Sequence, residues 1–138
     1  MKQTIDMKCM RYLNLFEKIT GVRTKNCFSY NNFVIFAVPG ALMSRVIGEN
    51  GKNAKQVSYI LGKKVKIVSL PENARETEKF VADIVSPFTF RNLEVTDKEI
   101  IIYANKDSKA ALIGRNKIKL EELKKIIEEY FGKELRLV

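Results

Sequence analysis

Two short stretches of the sequence have the composition of a phosphate-binding loop. Residues 46–53 read VIGENGKN, in which Gly48 and Gly51 are separated by two residues. Residues 112–119 read LIGRNKIK and repeat the Ile-Gly pair, but Lys117 stands where the second glycine would be. Glycine has no side chain and readily adopts positive φ angles, so a phosphate can approach the backbone closely. If a helix begins after such a loop, its first N–H groups and the positive end of its dipole attract an anion.

The excess of positive charge is confined to the first half of the chain. The net charge is +9. Residues 1–70 carry twelve basic side chains against three acidic ones, whereas residues 71–138 carry thirteen of each. A basic half of this kind favours a polyanion as partner, nucleic acid ahead of a membrane surface. The alternative interpretation of the charge alone is a solvated, lysine-rich surface.

The residue types that most enzymes and metal proteins use are scarce. The chain has no histidine and only two cysteines, Cys9 and Cys27, so a disulfide framework, a zinc site or a histidine base is not expected. The sequence contains no nucleotide P-loop and no nucleophile with a base beside it. No apolar run approaches the roughly 20 residues of a membrane span, and the amino terminus has no signal core. We therefore expect a cytoplasmic protein that is not an enzyme, with no metal, no cofactor and no membrane partner.

The elements that must position the first loop follow a clear order. Apolar residues at helical spacing predict a helix that Asp6 caps and Gly21 ends. A hairpin then turns near residues 31–32 into an apolar strand over residues 33–38, and a short helix leads into the loop. The next helix, residues 52–61, is followed by the alternating strand KKVKIV. The inner faces of the two longer helices are predicted to carry Met10, Leu13, Phe16, Ile19, Ala54, Val57, Ile60 and Leu61.

The second half of the chain repeats this order. Asn73 and Glu76 have the spacing of a capping box and start the next helix. The segments FTFRNLEV and EIIIYA are predicted as strands, and a short helix capped by Asp107 or Ser108 follows them. After the second loop, a helix over residues 118–131 leads to a final strand, KELRLV. The repeat unit is therefore helix, strand, strand, short helix, loop, helix and strand.

The duplicated unit resembles the KH family of nucleic-acid-binding domains, in the type II arrangement with the extra helix and strand ahead of the core. The segments that carry the resemblance are VIGENGKNAKQVSYILGKKVKIV in the first half and ALIGRNKIKLEELKKIIEEYFGKELRLV in the second. Among KH proteins, the tandem pair is most similar to the archaeal NusA-like transcription factors. The resemblance implies an α+β fold of two tandem type II KH domains, residues 1–70 and residues 71–138. Each domain would have a three-stranded mixed sheet with three helices packed on one face.

The resemblance also implies a function and a set of binding residues. The chain would bind single-stranded RNA, about four nucleotides per domain. It would act in transcription elongation, termination or antitermination, with RNA polymerase as a candidate partner. Around the first loop, the implied RNA contacts are Arg45, Gly48, Glu49, Asn50, Gly51, Lys52, Asn53 and Lys55. In the second loop they are Gly114, Arg115, Asn116 and Lys117. The candidates for the floor of a base-binding groove are Val57, Val65 and Ile67.

Each loop departs from the usual family pattern in one respect. Glu49 places a carboxylate near the expected phosphate, which costs about 1 kcal/mol at an exposed site. Lys117 replaces a glycine, so its side chain can obstruct the phosphate or strain the turn if φ is positive. The helix after the second loop is also acidic, with Glu121 and Glu122 in its first turns. We therefore predict that the first domain supplies most of the RNA affinity.

Two other function classes are compatible with the sequence. The same fold can bind ribosomal RNA in translation or ribosome assembly. The departures at Glu49 and Lys117 are also what a protein-interaction scaffold with decayed loops would show. RNA binding at low salt distinguishes the scaffold from the other two classes, and co-purification with RNA polymerase or with ribosomal subunits distinguishes those two from each other.

Overall fold

A computed structural model of the protein describes residues 7–138, which form two compact units. The first unit comprises residues 7–71 and the second residues 72–138. Each unit has three α-helices and one three-stranded sheet. Asp6, the predicted cap of the first helix, lies outside the described residues. The domains of residues 1–70 and 71–138 stay a prediction about which segments fold independently.

The first unit has the element order that its hydrophobic pattern predicts. Its elements are α1 (Met7–Thr20), β1 (Asn26–Tyr30), β2 (Phe33–Val38), α2 (Met43–Ile47), α3 (Lys52–Leu61) and β3 (Lys64–Ser69). α1 ends at Gly21, whose φ is 73° and whose N–H donates to the Glu17 carbonyl over 2.8 Å. Asn31 and Asn32 form the two-residue hairpin turn with φ of 51° and 63°, the left-handed geometry that asparagine tolerates. The predicted helix end and hairpin turn are both confirmed.

The second unit repeats the order with one shortened strand. Its elements are α4 (Ala74–Val85), β4 (Asn92–Val95), β5 (Glu99–Tyr103), α5 (Lys106–Ile113), α6 (Ile118–Phe131) and β6 (Glu134–Leu137). The predicted strand FTFRNLEV is wrong in its first half, because β4 begins only at Asn92. The Phe88 N–H donates to the Val85 carbonyl over 2.9 Å, so the chain is still turning out of α4 at that point. Residues 88–91 therefore connect the helix to the sheet.

Side-chain caps begin two of the three helices of the second unit, α4 and α5. Asn73 accepts a hydrogen bond from the Glu76 N–H over 3.0 Å, as the capping-box spacing predicts. The Glu76 carboxylate reaches one residue further back and accepts from the Glu72 N–H, also over 3.0 Å. α5 begins earlier than predicted, since its cap is Asn105, which accepts from the Ser108 N–H over 2.8 Å. The expected cap of α5 was therefore two or three residues too late.

Both sheets are mixed, and they have the same topology. In the first, β2 is central, antiparallel to β1 and parallel to β3, and Phe36 is paired with Cys27 on one side and Ile67 on the other. In the second, β5 is antiparallel to β4 and parallel to β6, and Ile102 is paired with Leu93 and Leu137. A parallel pair needs a crossover, which the loop and its two helices supply in each unit. The predicted α+β class with two mixed three-stranded sheets is confirmed.

The core of the first unit lies between one face of the sheet and its three helices. Phe16 of α1 stacks on Phe36 of β2 with ring centroids 4.3 Å apart. The buried members of this core are Phe16, Val22, Cys27, Val34, Phe36, Val38, Val46 and Val57. Two residues predicted for the inner helix faces are exposed instead, Met10 at 53% and Ile60 at 52%. Successive helical residues lie 100° apart, so Ile60 and Leu61 flank Val57 on opposite sides, and the core covers the side of Leu61.

Candidate nucleic-acid interface

The backbone of the first loop turns through conformations that favour glycine. α2 ends at Gly48, with φ 79° and ψ 171°, a region that is essentially restricted to glycine. A single 3₁₀ turn, Glu49–Gly51, follows, in which Asn50 has φ 55°. Gly51 is left-handed, with φ 74°, and α3 begins at Lys52. Three of the four residues between the helices therefore have positive φ, which explains the Gly-Glu-Asn-Gly sequence.

The Asn53 side chain packs against the Ile-Gly corner of the first loop. Its side-chain amide donates to the Arg45 carbonyl over 3.2 Å and so satisfies the carboxyl end of α2. A Cβ on Gly48 would lie 3.0 Å from the Asn53 side-chain amide and 3.1 Å from the Asn53 backbone nitrogen. Gly48 is therefore required by close packing as well as by its φ angle. Asn53 was predicted to contact RNA, and its position in the structure is that of a support for the loop.

Two N–H groups at the start of α3 are already paired. The Gly51 N–H donates to the Gly48 carbonyl over 3.1 Å, and the Lys52 N–H donates to the Glu49 carbonyl. The expectation that the glycine loop leaves these N–H groups unpaired is wrong, because the 3₁₀ turn uses them. The attraction for an anion at this point therefore comes from the helix dipole and the nearby lysines.

The charged side chains around the first loop differ in where they reach. Glu49, Lys52 and Lys55 are exposed, and the Lys55 stem passes 3.7 Å from the position of a Cβ on Gly51. Arg45 is also exposed, but its guanidinium lies beside Gly21, 3.6 Å from the position of a Cβ there. The structure therefore brings Lys52 and Lys55 to the loop and directs Arg45 toward the end of α1.

The segment after the loop carries no opposing charge. Residues 50–71 contain five lysines and no aspartate or glutamate. Glu49 is the one carboxylate inside the loop, and it is exposed to solvent and salt. Screening limits its repulsion of a phosphate to roughly 1 kcal/mol, which two nearby lysines offset.

The predicted floor of a base-binding groove is only partly available. Val57 has no exposed surface, so it cannot contact a ligand. Val65 and Ile67 are half-buried and pack against the same core as Val57. The prediction is therefore wrong for Val57, and any contact with a base on this side involves β3.

The second loop follows the same backbone path with different side chains. Gly114 has φ 74° and ψ 175°, Asn116 has φ 57°, and Lys117 takes the left-handed position of Gly51 with φ 62°. The Gly114 N–H donates to the Ala110 carbonyl over 3.1 Å, and the Lys117 N–H donates to the Gly114 carbonyl over 3.2 Å. Arg115 and Lys117 are both exposed. Positive φ was the condition under which the sequence predicted strain at Lys117, and the structure meets it, so this lysine is strained relative to glycine.

Lys119 takes the place of Asn53 beneath the second loop. A Cβ on Gly114 would lie 3.0 Å from Lys119 Cγ, and the Lys119 ammonium sits 4.4 Å from the centre of the Phe88 ring. The packing of Asn53 against Gly48 and of Lys119 against Gly114 was not predicted from the sequence. The signal was available, because Asn53 and Lys119 each stand five residues after the first glycine of their loop.

The helix after the second loop is less suited to an anion. Ile118 and Glu121 occupy the positions that Lys52 and Lys55 occupy in the first unit. Ile118 is 57% exposed, and Glu121 lies 3.9 Å from the Lys124 ammonium on the helix surface. The two loops therefore share a backbone and differ in the charge that follows it.

Residues 7–138 offer neither a membrane-spanning helix nor a metal-binding cluster. None of the helices in this range is long and apolar enough to cross a membrane. The same residues contain no cluster of three or more histidine, cysteine, aspartate or glutamate side chains that could hold a metal ion.

Comparison with known proteins assigns the chain to a family. No family model matches it. The chain is 31% identical over 134 residues to the probable transcription termination protein NusA of Halococcus morrhuae, and the match covers 95% of this chain and 94% of that protein. It is 27% identical over 120 residues to the protein of the same name from Halobacterium salinarum, covering 85% and 84% of the two chains.

A solved structure supports the fold independently of the relatives. The crystal structure of APE1850 superposes with a TM-score of 0.67 at 24% sequence identity, and the match covers 97% of this chain and all of that one. Because the relative from Halococcus morrhuae exceeds 30% identity over nearly the full length of both proteins, the chain belongs to the family of archaeal NusA-like transcription termination proteins.

Proposed function

We propose that the protein binds single-stranded RNA through two tandem KH domains of type II and acts in archaeal transcription termination or antitermination. Family membership supports the role in transcription. The helix–loop–helix unit packed on a mixed sheet in each half supports the KH assignment. RNA polymerase is the protein partner we propose for this role.

The observation that carries the proposal is the geometry of the first loop. Gly48 and Gly51 remove side chains from the backbone at the start of α3, and both have positive φ. Lys52 and Lys55 stand on the first turn of that helix, and both are exposed to solvent. A phosphate that approaches the bare backbone therefore meets a helix dipole and two ammonium groups.

The first loop is proposed as the principal contact and the second as an auxiliary one. The first-loop contacts are Gly48, Glu49, Asn50, Gly51, Lys52 and Lys55, with Arg45 and Asn53 as flanking and supporting residues. The auxiliary contacts are Gly114, Arg115, Asn116 and Lys117. An RNA strand at the second loop meets the carboxylates of α6, whereas the helix after the first loop carries lysines and no carboxylate, and Glu49 is the one acidic residue within that loop. Affinity should therefore depend mainly on the first loop.

A matched pair of substitutions tests the proposal. Gly51→Asp and Lys117→Asp place a carboxylate at the same backbone position of each loop, where φ is 74° and 62°. We expect Gly51→Asp to weaken binding of a single-stranded RNA at least tenfold, and Lys117→Asp to weaken it less than threefold, although the second change removes more positive charge. Ser29→Asp, at an exposed position of β1, controls for net charge.

Three results would count against the proposal. Absence of RNA binding by the unaltered chain at low salt would contradict RNA binding itself and favour a protein scaffold. A larger effect of Lys117→Asp than of Gly51→Asp would reverse the ranking of the loops. Association with ribosomal subunits instead of RNA polymerase would contradict the proposed role in transcription. Amide spectra of each variant establish that it is folded before its affinity is compared.

A further inference from the structure

The outer face of α3 carries an aromatic side chain in open solvent. Tyr59 is 86% exposed. No other large hydrophobic side chain in residues 7–138 has a larger exposed fraction. A tyrosine ring offers a large apolar area with little side-chain entropy to lose, which makes it a good contact residue. The ring plays no part in the core, whose α3 member is Val57. Its exposure therefore calls for an explanation outside the folding of the first unit.

Tyr59 lies in line with the lysines that border the first loop. Lys52, Lys55 and Tyr59 are three and four residues apart, so they share one face of the helix. All three are exposed, and so is Lys63, which follows just after the end of the helix at Gly62. The face that contains Lys52, Lys55 and Tyr59, together with Lys63 beyond the end of the helix, is called the α3 stripe below. It extends from the loop for about 10 Å along the helix up to Tyr59.

The chemistry of the α3 stripe fits single-stranded nucleic acid. Such a strand presents phosphates, which lysines attract, and unstacked bases, which lie flat on aromatic rings. Duplex nucleic acid does not offer its base faces to a tyrosine ring, because they are stacked on one another. The absence of carboxylates from residues 50–71 leaves nothing along the stripe that repels a phosphate backbone.

The second unit lacks this combination at the equivalent positions. Counting from the first glycine of each loop, Lys52 corresponds to Ile118, Lys55 to Glu121 and Tyr59 to Lys125. The stripe is therefore not a by-product of the repeated fold, which both helices share. The equivalent face of α6 is a matched control within the same molecule.

We propose that Tyr59 is a base-stacking residue, and that the α3 stripe continues the RNA path from the Gly48–Gly51 loop to Lys63. This inference rests on the proposed RNA-binding function and adds a second contact point to it. The spacing was visible in the sequence as Lys52, Lys55, Tyr59 and Lys63, which recur every three or four residues. Tyr59 is absent from the predicted inner face of α3, since it lies about 200° around the helix from Val57, but the sequence did not assign it a role.

The first test is a substitution at an exposed site that leaves folding intact. Tyr59→Ala removes the ring and should weaken binding of a single-stranded RNA of about ten nucleotides on the order of tenfold, the effect expected for one base–aromatic stack. Tyr59→Phe keeps the ring and should bind within twofold of the unaltered chain. Lys125→Ala changes the equivalent residue of α6 and should also bind within twofold.

The second test is a spectroscopic reporter of stacking. The chain contains no tryptophan, so Tyr59→Trp introduces a single indole at the proposed site. We expect RNA to quench its fluorescence, and the quenching should saturate together with binding measured by anisotropy of labelled RNA. Lys125→Trp places the same indole on α6, and RNA should leave its fluorescence unchanged.

The outcomes separate this inference from the proposed function. If Gly51→Asp weakens RNA binding while Tyr59→Ala and the Tyr59→Trp fluorescence show no effect, Tyr59 is not a stacking residue and the proposed function stands. If the unaltered chain binds no RNA, both fail. If Tyr59→Ala leaves RNA affinity unchanged but abolishes binding to purified archaeal RNA polymerase, the stripe is a protein-docking surface and the inference is wrong.

Discussion

The two loops of this protein have one backbone and two different surroundings. Gly48 and Gly114 have nearly the same φ and ψ, and each corner is closed by an N–H to carbonyl bond of 3.0 or 3.1 Å. The residue beneath the corner is Asn53 in one unit and Lys119 in the other, so different side chains serve the same packing. Around this shared corner, the first helix presents lysines and the second presents Ile118 and Glu121. The same loop backbone is therefore compatible with opposite charges on the helix that follows it.

The two units also differ in what a lysine does at the end of the second helix. Lys133 follows Gly132, and its ammonium donates to the Thr96 and Asp97 carbonyls in the turn between β4 and β5. Lys63 follows Gly62 in the same way, but it is exposed, and the hairpin of the first unit turns on two asparagines. One lysine is part of the fold, and the other is displayed to solvent.

The largest expected effect tests the shared corner. Gly48→Ala should lower the free energy of unfolding by about 3 kcal/mol, because φ is unsuitable for alanine and the new methyl group meets the Asn53 backbone nitrogen. Gly114→Ala should cost about 2 kcal/mol, since the Lys119 side chain can move aside. Urea unfolding followed by amide signals of each unit measures both. If Gly114→Ala lowers the free energy of unfolding as much as Gly48→Ala or more, contact of the new methyl group with backbone does not determine the cost of the substitution.

The next effect tests the difference in charge. Replacing Lys52 and Lys55 together by glutamine should lower RNA affinity about tenfold and reduce the slope of log affinity against log salt by about 1.4, or 0.7 per phosphate contact. The converse pair, Ile118→Lys with Glu121→Lys, should raise affinity a few-fold. Titrations at several salt concentrations measure the slope. A slope that does not change in the first variant would mean that these lysines do not contact phosphate.

A smaller effect distinguishes the two lysines at the helix ends. Lys133→Met should lower the free energy of unfolding by about 1 kcal/mol, because two carbonyls lose a charged donor at a half-exposed site. RNA affinity should not change. Lys63→Met should have the opposite profile, with unchanged stability and a two- to fivefold loss of RNA affinity. Urea unfolding and RNA titration of both variants measure these effects. If the two variants change stability and RNA affinity alike, the two lysines have the same role and the prediction is wrong.

The smallest effect concerns the last residue of each loop, which is Gly51 in the first loop and Lys117 in the second. Lys117→Gly should raise the free energy of unfolding by about 0.5 kcal/mol, because relief of a left-handed lysine exceeds the entropy cost of glycine by only a little. Gly51→Lys should lower it by a similar amount. Thermal unfolding of the two variants is the measurement. A destabilised Lys117→Gly would indicate that the lysine side chain makes a contact worth more than its backbone strain.

Local patterns in the sequence predicted the elements well. Helix ends at Gly21 and Gly62, the Asn31–Asn32 turn and the duplicated order of elements depend on residues close in the chain, where glycine and asparagine permit positive φ. At Lys117 the sequence indicated only that a positive φ would strain the turn, and the structure shows that φ is positive. The strand over residues 88–91 was wrong because apolar alternation does not reveal where a chain leaves the preceding helix.

Three of the predicted contact residues lie where their spacing in the sequence did not indicate. Sequence identified Arg45, Asn53 and Val57 as ligand contacts, and the structure places Arg45 beside Gly21, Asn53 beneath Gly48 and Val57 in the core. Those roles depend on which atoms lie within about 4 Å of one another, which residue spacing alone does not specify.

By itself, the sequence determined the α+β class, the repeat, the two Ile-Gly corners and the basic bias of the first half, because each follows from local conformational preference or from counting charge. Only the tertiary structure decided that the first N–H groups of α3 are occupied by a 3₁₀ turn, that Asn53 and Lys119 are equivalent wedges, and that Tyr59 points into solvent. The first two facts depend on the exact backbone path over residues that are close in the chain, and the third depends on how α3 packs on its sheet. Packing determines which of two apolar helix positions is buried, and hydrophobic periodicity alone does not distinguish them.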